Sequence, residues 1–184
     1  MGLRDRRENR RDERATFGRG GTALRFQMRQ RLLAIGDDFW VEDENGDRVF
    51  HVDGKALRLR NTFNLEDAHG TTLCRIQTRA LRLRDSMEID DPGGDRLAVV
   101  HKALITPFRE RWKVDLAGGK EWKVQGSIAD HEYEIEADEG KVAEVSKKWF
   151  RARDTYGVQV RPDQDPALVL AVTVAVDSMA HPSK

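Results

Sequence analysis

A repeat of about 23 residues limits what this chain can fold into more than any other feature. Each unit begins with a bulky residue and has an apolar residue two positions later and a glycine seven positions later. The five anchor and glycine pairs are Phe39 and Gly46, Phe63 and Gly70, Met87 and Gly94, Trp112 and Gly119, and Tyr133 and Gly140. Alternating apolar residues that run into a glycine turn are typical of β-hairpins. Each unit is therefore predicted to be a β-hairpin. The Asn-Gly and Gly-Gly pairs at residues 45–46, 93–94 and 118–119 further suit a type I′ turn, in which both central residues have a positive φ.

The second strand of each hairpin is less regular than the first. Three residues separate the paired apolar residues of the first three units, which are Val49 and Val52, Leu73 and Ile76, and Leu97 and Val100. In a regular strand, this spacing puts the two members of a pair on opposite faces of the sheet. The sequence therefore predicts either β-bulges or strands that are buried on both faces.

The last part of the repeat region differs in kind. Tyr156 starts a final strand, but Asp163 replaces the turn glycine. Asp165 is a favourable N-cap and Pro166 suits the first position of a helix, while residues 167–176 are apolar on every side. The β-branched residues of this run would favour a strand, whereas the cap and the lack of alternation favour a helix. A helix that is apolar all round has to be buried all round.

The strand count then predicts the fold class. One strand over Leu24 to Leu33, ten strands in five hairpins and one strand at Tyr156 give about twelve. Because eight strands already enclose a filled interior, a barrel of this size needs something inside it. We expect a mainly β protein, a closed antiparallel barrel around a central hydrophobic C-terminal helix.

Composition and charge set the domain boundaries and the compartment. Residues 1–23 are rich in arginine and poor in apolar side chains, which predicts a disordered tail before a single domain over residues 24–184. The chain has 32 basic and 32 acidic residues, so no overall charge favours a nucleic-acid partner. A single cysteine, no signal peptide and no apolar run long enough for a transmembrane segment predict a cytoplasmic protein.

Several segments also carry a family resemblance, in the same order along the chain. They are MRQRLLAIGDDF (28–39), VEDENG (41–46), VDGK (52–55), SKKWF (146–150), DTYGV (154–158) and DPALVLAV (165–172). Together they resemble the LURP-one-related family, which shares the tubby C-terminal-like fold with tubby-like proteins and phospholipid scramblases. The resemblance covers about residues 24–180 and implies a barrel around a helix. Because tubby-like relatives bind phosphoinositides and scramblases are associated with lipid movement, it also implies a role with an anionic lipid or another phosphate ligand.

A duplicated basic segment is the main candidate for a binding site. Residues 55–60 (KALRLR) and 79–84 (RALRLR) are nearly identical, and strand geometry would put both arginines of each on one face. The four guanidinium groups, together with two lysines beside Trp149, predict a patch that binds phosphate. These residues are Arg58, Arg60, Arg82, Arg84, Lys147 and Lys148. The alternative is that they form the solvated outer face of the strands.

Catalysis is not indicated. The sequence has no nucleophile elbow and no phosphate-cradling glycine loop, and Cys74 lies in an apolar strand. The five histidines lie far apart in the sequence, and they predict neither a metal site nor a cofactor.

Two functions therefore stand open. The first is a non-enzymatic binding module for anionic lipid headgroups or another phosphate ligand, peripheral at the inner face of the membrane. The second is a scaffold that presents its loops to a protein partner and uses the basic tail for non-specific contacts. Neither involves sequence-specific recognition of a nucleic acid.

Overall fold

Twelve antiparallel strands close into a barrel in the computed structural model, which describes residues 11–17, 20–29, 38–54, 62–78, 86–102, 110–149 and 155–181. The strands follow one another around the barrel in chain order. They are β1 (Leu24–Arg29), β2 (Phe39–Asp43), β3 (Arg48–Asp53), β4 (Thr62–Asp67), β5 (Thr72–Thr78), β6 (Ser86–Asp90), β7 (Arg96–Lys102), β8 (Glu110–Leu116), β9 (Glu121–Ser127), β10 (Glu132–Ala137), β11 (Gly140–Ser146) and β12 (Thr155–Val160).

Strand β1 closes the barrel because it pairs on both of its edges. Phe26 lies opposite Val158 of β12 and opposite Asp43 of β2. The predicted closed barrel of twelve strands is confirmed, as are the five hairpins.

The type I′ turns predicted at Asn45-Gly46 and Gly93-Gly94 are wrong, because Asn45 and Gly93 lack a positive φ. In the turn after β2, Asn45 lacks a positive φ and only Gly46 has one, at 85°. The Gly46 N–H donates to the Asp43 carbonyl oxygen at 3.1 Å, and the Asp43 side chain accepts from the Asp47 N–H at 2.9 Å. This is a type I turn that is followed by one left-handed glycine. The backbone N–H of Asp47 also holds the pKa of Asp43 below its usual value.

The irregular second strands contain β-bulges. In β3, Phe50 pairs with Val41 and Arg48 pairs with Glu42, so that Val49 is the extra residue. The register shifts in the same way at three other hairpins, where the extra residues are Leu73, Leu97 and Val142. A bulge turns the following residues back to the interior, which explains why Val52 is fully buried although it lies three residues after Val49.

The predicted C-terminal helix spans Pro166–Ala180 and lies inside the barrel. The Asp165 side chain caps it by accepting a hydrogen bond from the Ala167 N–H at 2.9 Å, and Pro166 occupies the first turn. Every residue of the helix from Val169 to Ser178 is buried. The helix therefore fills the lumen, as the strand count predicts.

The barrel has two different ends. We call one the turn end, because the hairpin turns and the loop over residues 161–165 lie there. We call the other the connector end, because β1, β3, β5, β7, β9 and β11 finish there and lead into the links between hairpins. The C-terminal helix starts at the turn end, and its last turns pack against the 3-10 turn Ile128–Asp130 at the connector end.

The N-terminal region contains a helix over residues 11–17, where the sequence predicts disorder. Three residues of this helix are half-buried. Their packing against the barrel offsets a composition that is unfavourable for folding. Residues 1–10 lie outside the described residues, and the boundary between residues 1–23 and the domain over 24–184 stays a prediction.

Candidate functional site

The four predicted arginines, Arg58, Arg60, Arg82 and Arg84, lie outside the described residues. The structure does describe the residues that flank these arginines. The flanking residues show to which strand ends the two basic segments are joined. Asp53 and Thr62 flank the first segment, while Thr78 and Ser86 flank the second. All four of these flanking residues belong to strand ends at the connector end.

The two predicted lysines lie at the connector end as well, in the 3-10 turn Lys147–Trp149. Glu132 of β10 organises this turn, since it accepts from the Lys147 N–H at 3.0 Å and from the Lys148 Nζ at 3.0 Å. The Lys148 side chain is nevertheless 80% exposed, so the ion pair leaves most of its ammonium group in water. Trp149 beside it is half-buried.

A buried polar cluster that the sequence did not predict lies at the same end of the barrel. Its centre is the carboxylate of Asp177 in the C-terminal helix, which is 1% exposed. The Tyr156 hydroxyl donates to Asp177 Oδ2, and His131 Nε2 lies 3.4 Å from the same oxygen. The His131 ring is 2% exposed and lies between the rings of Tyr156 and His181, at centroid distances of 4.5 and 5.3 Å. Two histidines that are far apart in the sequence therefore stack on each other.

The backbone of His131 is unusual. It has a φ of 55°, and it is the only residue other than glycine with a positive φ among the residues that the structure describes. This left-handed conformation ends the 3-10 turn after Asp130 and directs the imidazole into the barrel. Strain of this kind persists only where surrounding contacts hold it.

The cluster contains two buried tyrosines, of which Tyr156 donates a hydrogen bond to Asp177. Burial, and next the charge of Asp177, raise the pKa of Tyr156 well above its usual value. The same two causes raise the pKa of Tyr133, whose hydroxyl lies near Thr173 and Asp177. Both phenols therefore keep their protons, and the Tyr156 hydroxyl supplies a donor to the buried carboxylate of Asp177. Asp177 itself gives the one signal that the sequence offers, since it is the only charged residue of the helix.

Cys74 is a core residue, as the sequence predicts. It is buried inside the barrel, and burial raises the pKa of its thiol to about 12. A thiol of this kind is a poor nucleophile at neutral pH.

Two features are absent from the described part of the chain. None of its helices is both long enough and apolar enough to cross a membrane. Within the same residues, no group of three or more histidine, cysteine, aspartate or glutamate side chains is arranged to hold a metal ion.

The protein is thus a closed antiparallel β-barrel that contains its own C-terminal helix. The chain belongs to the LURP-one-related family, whose sequence profile matches residues 24–177. A protein from Arabidopsis thaliana with a known X-ray structure has a similar fold, with a TM-score of 0.66 and 20% sequence identity. The similarity covers 86% of this chain and 92% of that protein. A comparison with curated proteins gave no match.

Proposed function

We propose that this protein is a non-enzymatic module that binds an anionic lipid headgroup or another phosphate ligand at the connector end of the barrel. The order of the strands carries the proposal. The strand ends that flank both arginine-bearing segments lie at the connector end. Lys147 and Lys148 lie at the same end. Guanidinium groups bind phosphate oxygens through paired, charge-assisted hydrogen bonds.

The filled interior supports binding at this end rather than in the lumen. The C-terminal helix occupies the barrel, and its side chains from Val169 to Ser178 are buried. The buried Asp177 cluster also supports a role without catalysis, because its carboxylate and imidazole are shielded from solvent. We further propose that the protein works in the cytoplasm and lies against the inner face of the membrane when it is bound.

Liposome co-sedimentation over a salt series tests the proposal. The full chain is compared on neutral vesicles and on vesicles that contain phosphatidylserine or a phosphoinositide. Two variants, R58Q/R60Q and R82Q/R84Q, each remove two charges at the connector end. Each lysine or arginine near an anionic surface contributes about 1 kcal/mol, so each variant should weaken binding roughly 30-fold at low salt.

A matched control removes two charges at the other end. Lys120 and Lys123 are 74% and 64% exposed, and their ion pairs are long, at 3.4 and 3.9 Å. K120Q/K123Q should therefore bind like the wild type. Equal binding to neutral and anionic vesicles would contradict a lipid role.

A second arm separates the two sources of phosphate. Titration with inorganic phosphate and with a soluble inositol phosphate, followed by tryptophan fluorescence, reports binding without a membrane. Binding in this arm alone would indicate a free phosphate ligand. If both arms show no binding, the proposal is wrong and the scaffold role becomes the better explanation.

A further inference from the structure

The helix over residues 11–17 precedes the part of the chain that matches the family profile, which starts at residue 24. Its half-buried residues are Glu13, Thr16 and Phe17, while Arg14 and Ala15 between them are exposed. The spacing of three and four residues puts the half-buried side chains on one face of the helix. This face packs against the barrel.

The contact centres on Lys141 of β11. The Lys141 Nζ lies 5.3 Å from the centroid of the Phe17 ring, which is within the range of a cation–π interaction. Glu134 and Glu144 fix this ammonium group at 2.5 and 3.1 Å, and the side chain is only 12% exposed. Phe17 therefore docks on a cation that the barrel already holds in place.

A backbone hydrogen bond links the helix to the residue that precedes β1. The Ala23 N–H donates to the Thr16 carbonyl oxygen at 3.0 Å. A Cβ atom on Gly21 would lie 2.1 Å from the same oxygen, so this position requires glycine. The hydrogen bond and the close approach at Gly21 tie the end of the helix to the start of β1.

One electrostatic interaction opposes the docking. Glu13 lies one turn before Phe17 on the docked face of the helix, and Glu136 of β10 is the cross-strand neighbour of Lys141. Burial, and next the charges of Glu134 and Glu13, raise the pKa of Glu136. On the barrel side, Lys141 and Lys123 act in the opposite direction, and Gln125 Nε2 donates to Glu136 at 2.6 Å. The helix thus brings a carboxylate towards a second carboxylate that is already partly desolvated.

We propose that residues 11–17 form a reversible strap on the outer wall of β10 and β11, docked through Phe17 on Lys141 and loosened by repulsion between Glu13 and Glu136. The docked state favours protonation of Glu136 and therefore binds more protons than the released state. Docking is strongest in acid and weakens as the pH rises through the titration of Glu136. A helix this short does not persist alone in water, so release also unfolds it.

Limited trypsin digestion of the full chain at pH 7.5 tests the strap, with the rate of cleavage after Arg14 as the readout. This rate follows the released population when docking is fast relative to cleavage. F17A should speed cleavage about threefold or more, because it removes the cation–π contact and the buried ring. E13Q should slow it, while D12N, which removes the same charge from an exposed position of the helix, should leave it unchanged.

Hydrogen exchange gives the pH arm. Protection factors of the amides in residues 13–17 are measured between pH 5 and pH 8. A protection factor is the ratio of the intrinsic to the observed exchange rate, so it is corrected for the intrinsic pH dependence of exchange. Protection should fall with rising pH in the wild type and stay level in E136Q. Equal cleavage of F17A and wild type would overturn the strap, and equal effects of E13Q and D12N would overturn its control by charge. Neither readout involves a lipid or a phosphate ligand, so failure here is separate from failure of the proposed function.

Discussion

Asp177 shows at the scale of a single residue how the helix is fixed within the barrel. Most of the other buried residues of the helix are apolar, and their contacts do not specify one rotation about the helix axis. The carboxylate does, because the Tyr156 hydroxyl donates to it from β12 and His131 lies beside it. A buried charge is costly unless such partners surround it. The cluster therefore defines the position of the helix as well as contributing to stability.

Two hydroxyl deletions test this role. Y156F removes a donor from a buried carboxylate and should lower the free energy of unfolding by about 1.5–3 kcal/mol. Y133F is the matched control, since its hydroxyl is also buried but makes no hydrogen bond of good geometry among the described residues. We expect it to cost less than about 1 kcal/mol in urea denaturation. Equal losses for the two variants would argue against a special role for Tyr156.

The hairpin is the element that the repeat encodes, and its turn depends on one glycine. Gly94 has a φ of 93°, whereas its neighbour Gly93 lacks a positive φ. An added Cβ at Gly94 would meet nothing within 4 Å, so only the backbone conformation opposes a side chain there. The bulge that follows, at Leu97, depends on the same local geometry.

Adjacent alanine substitutions separate these two glycines. G94A should destabilise the protein by about 1–2 kcal/mol, because L-residues disfavour the left-handed region. G93A should change stability by less than about 0.5 kcal/mol, since its Cβ would only approach the flexible Asp91 side chain at 3.2 Å. Thermal unfolding of both variants measures the difference. A type I′ turn would instead make the two substitutions equally harmful.

The whole molecule depends on the helix inside the barrel. Val172 lies at the middle of the buried stretch and is 0% exposed. The barrel walls around it are apolar, and the polar cluster lies further along the helix at Asp177. An unpaired charge at Val172 would therefore have no partner.

V172D should prevent cooperative folding, while V172A should fold with a loss of about 1–3 kcal/mol. L168D is the control for an added charge on the same helix, because Leu168 in the first turn is only half-buried. Near-ultraviolet circular dichroism and thermal melting distinguish these results. A soluble V172D protein that melts cooperatively would show that the helix is not the core.

The sequence predicted the architecture because the same physical rule repeats along it. Five anchor and glycine pairs specify five hairpins, and an apolar segment after Pro166 specifies a buried helix. The turn type was missed because Asn-Gly and Gly-Gly suit both a type I′ turn and a type I turn that is followed by a left-handed glycine. The aspartate that favours the second kind lies at the first position of the turn. The Asp177 cluster was missed because its partners come from β12 and the turn after β9, which only the closed barrel brings together.

The pairing of the first strand with the last has a consequence for how the protein is made. Leu24 pairs with Val160, and the helix that fills the barrel comes later still. At 5–20 residues per second, a ribosome needs roughly 10–30 s to translate the chain from Leu24 to Ala180. Through that interval the growing sheet has open edges and an unfilled interior, which is the state most exposed to aggregation. Until its final helix leaves the ribosome, the nascent chain has neither a closed sheet nor a filled core.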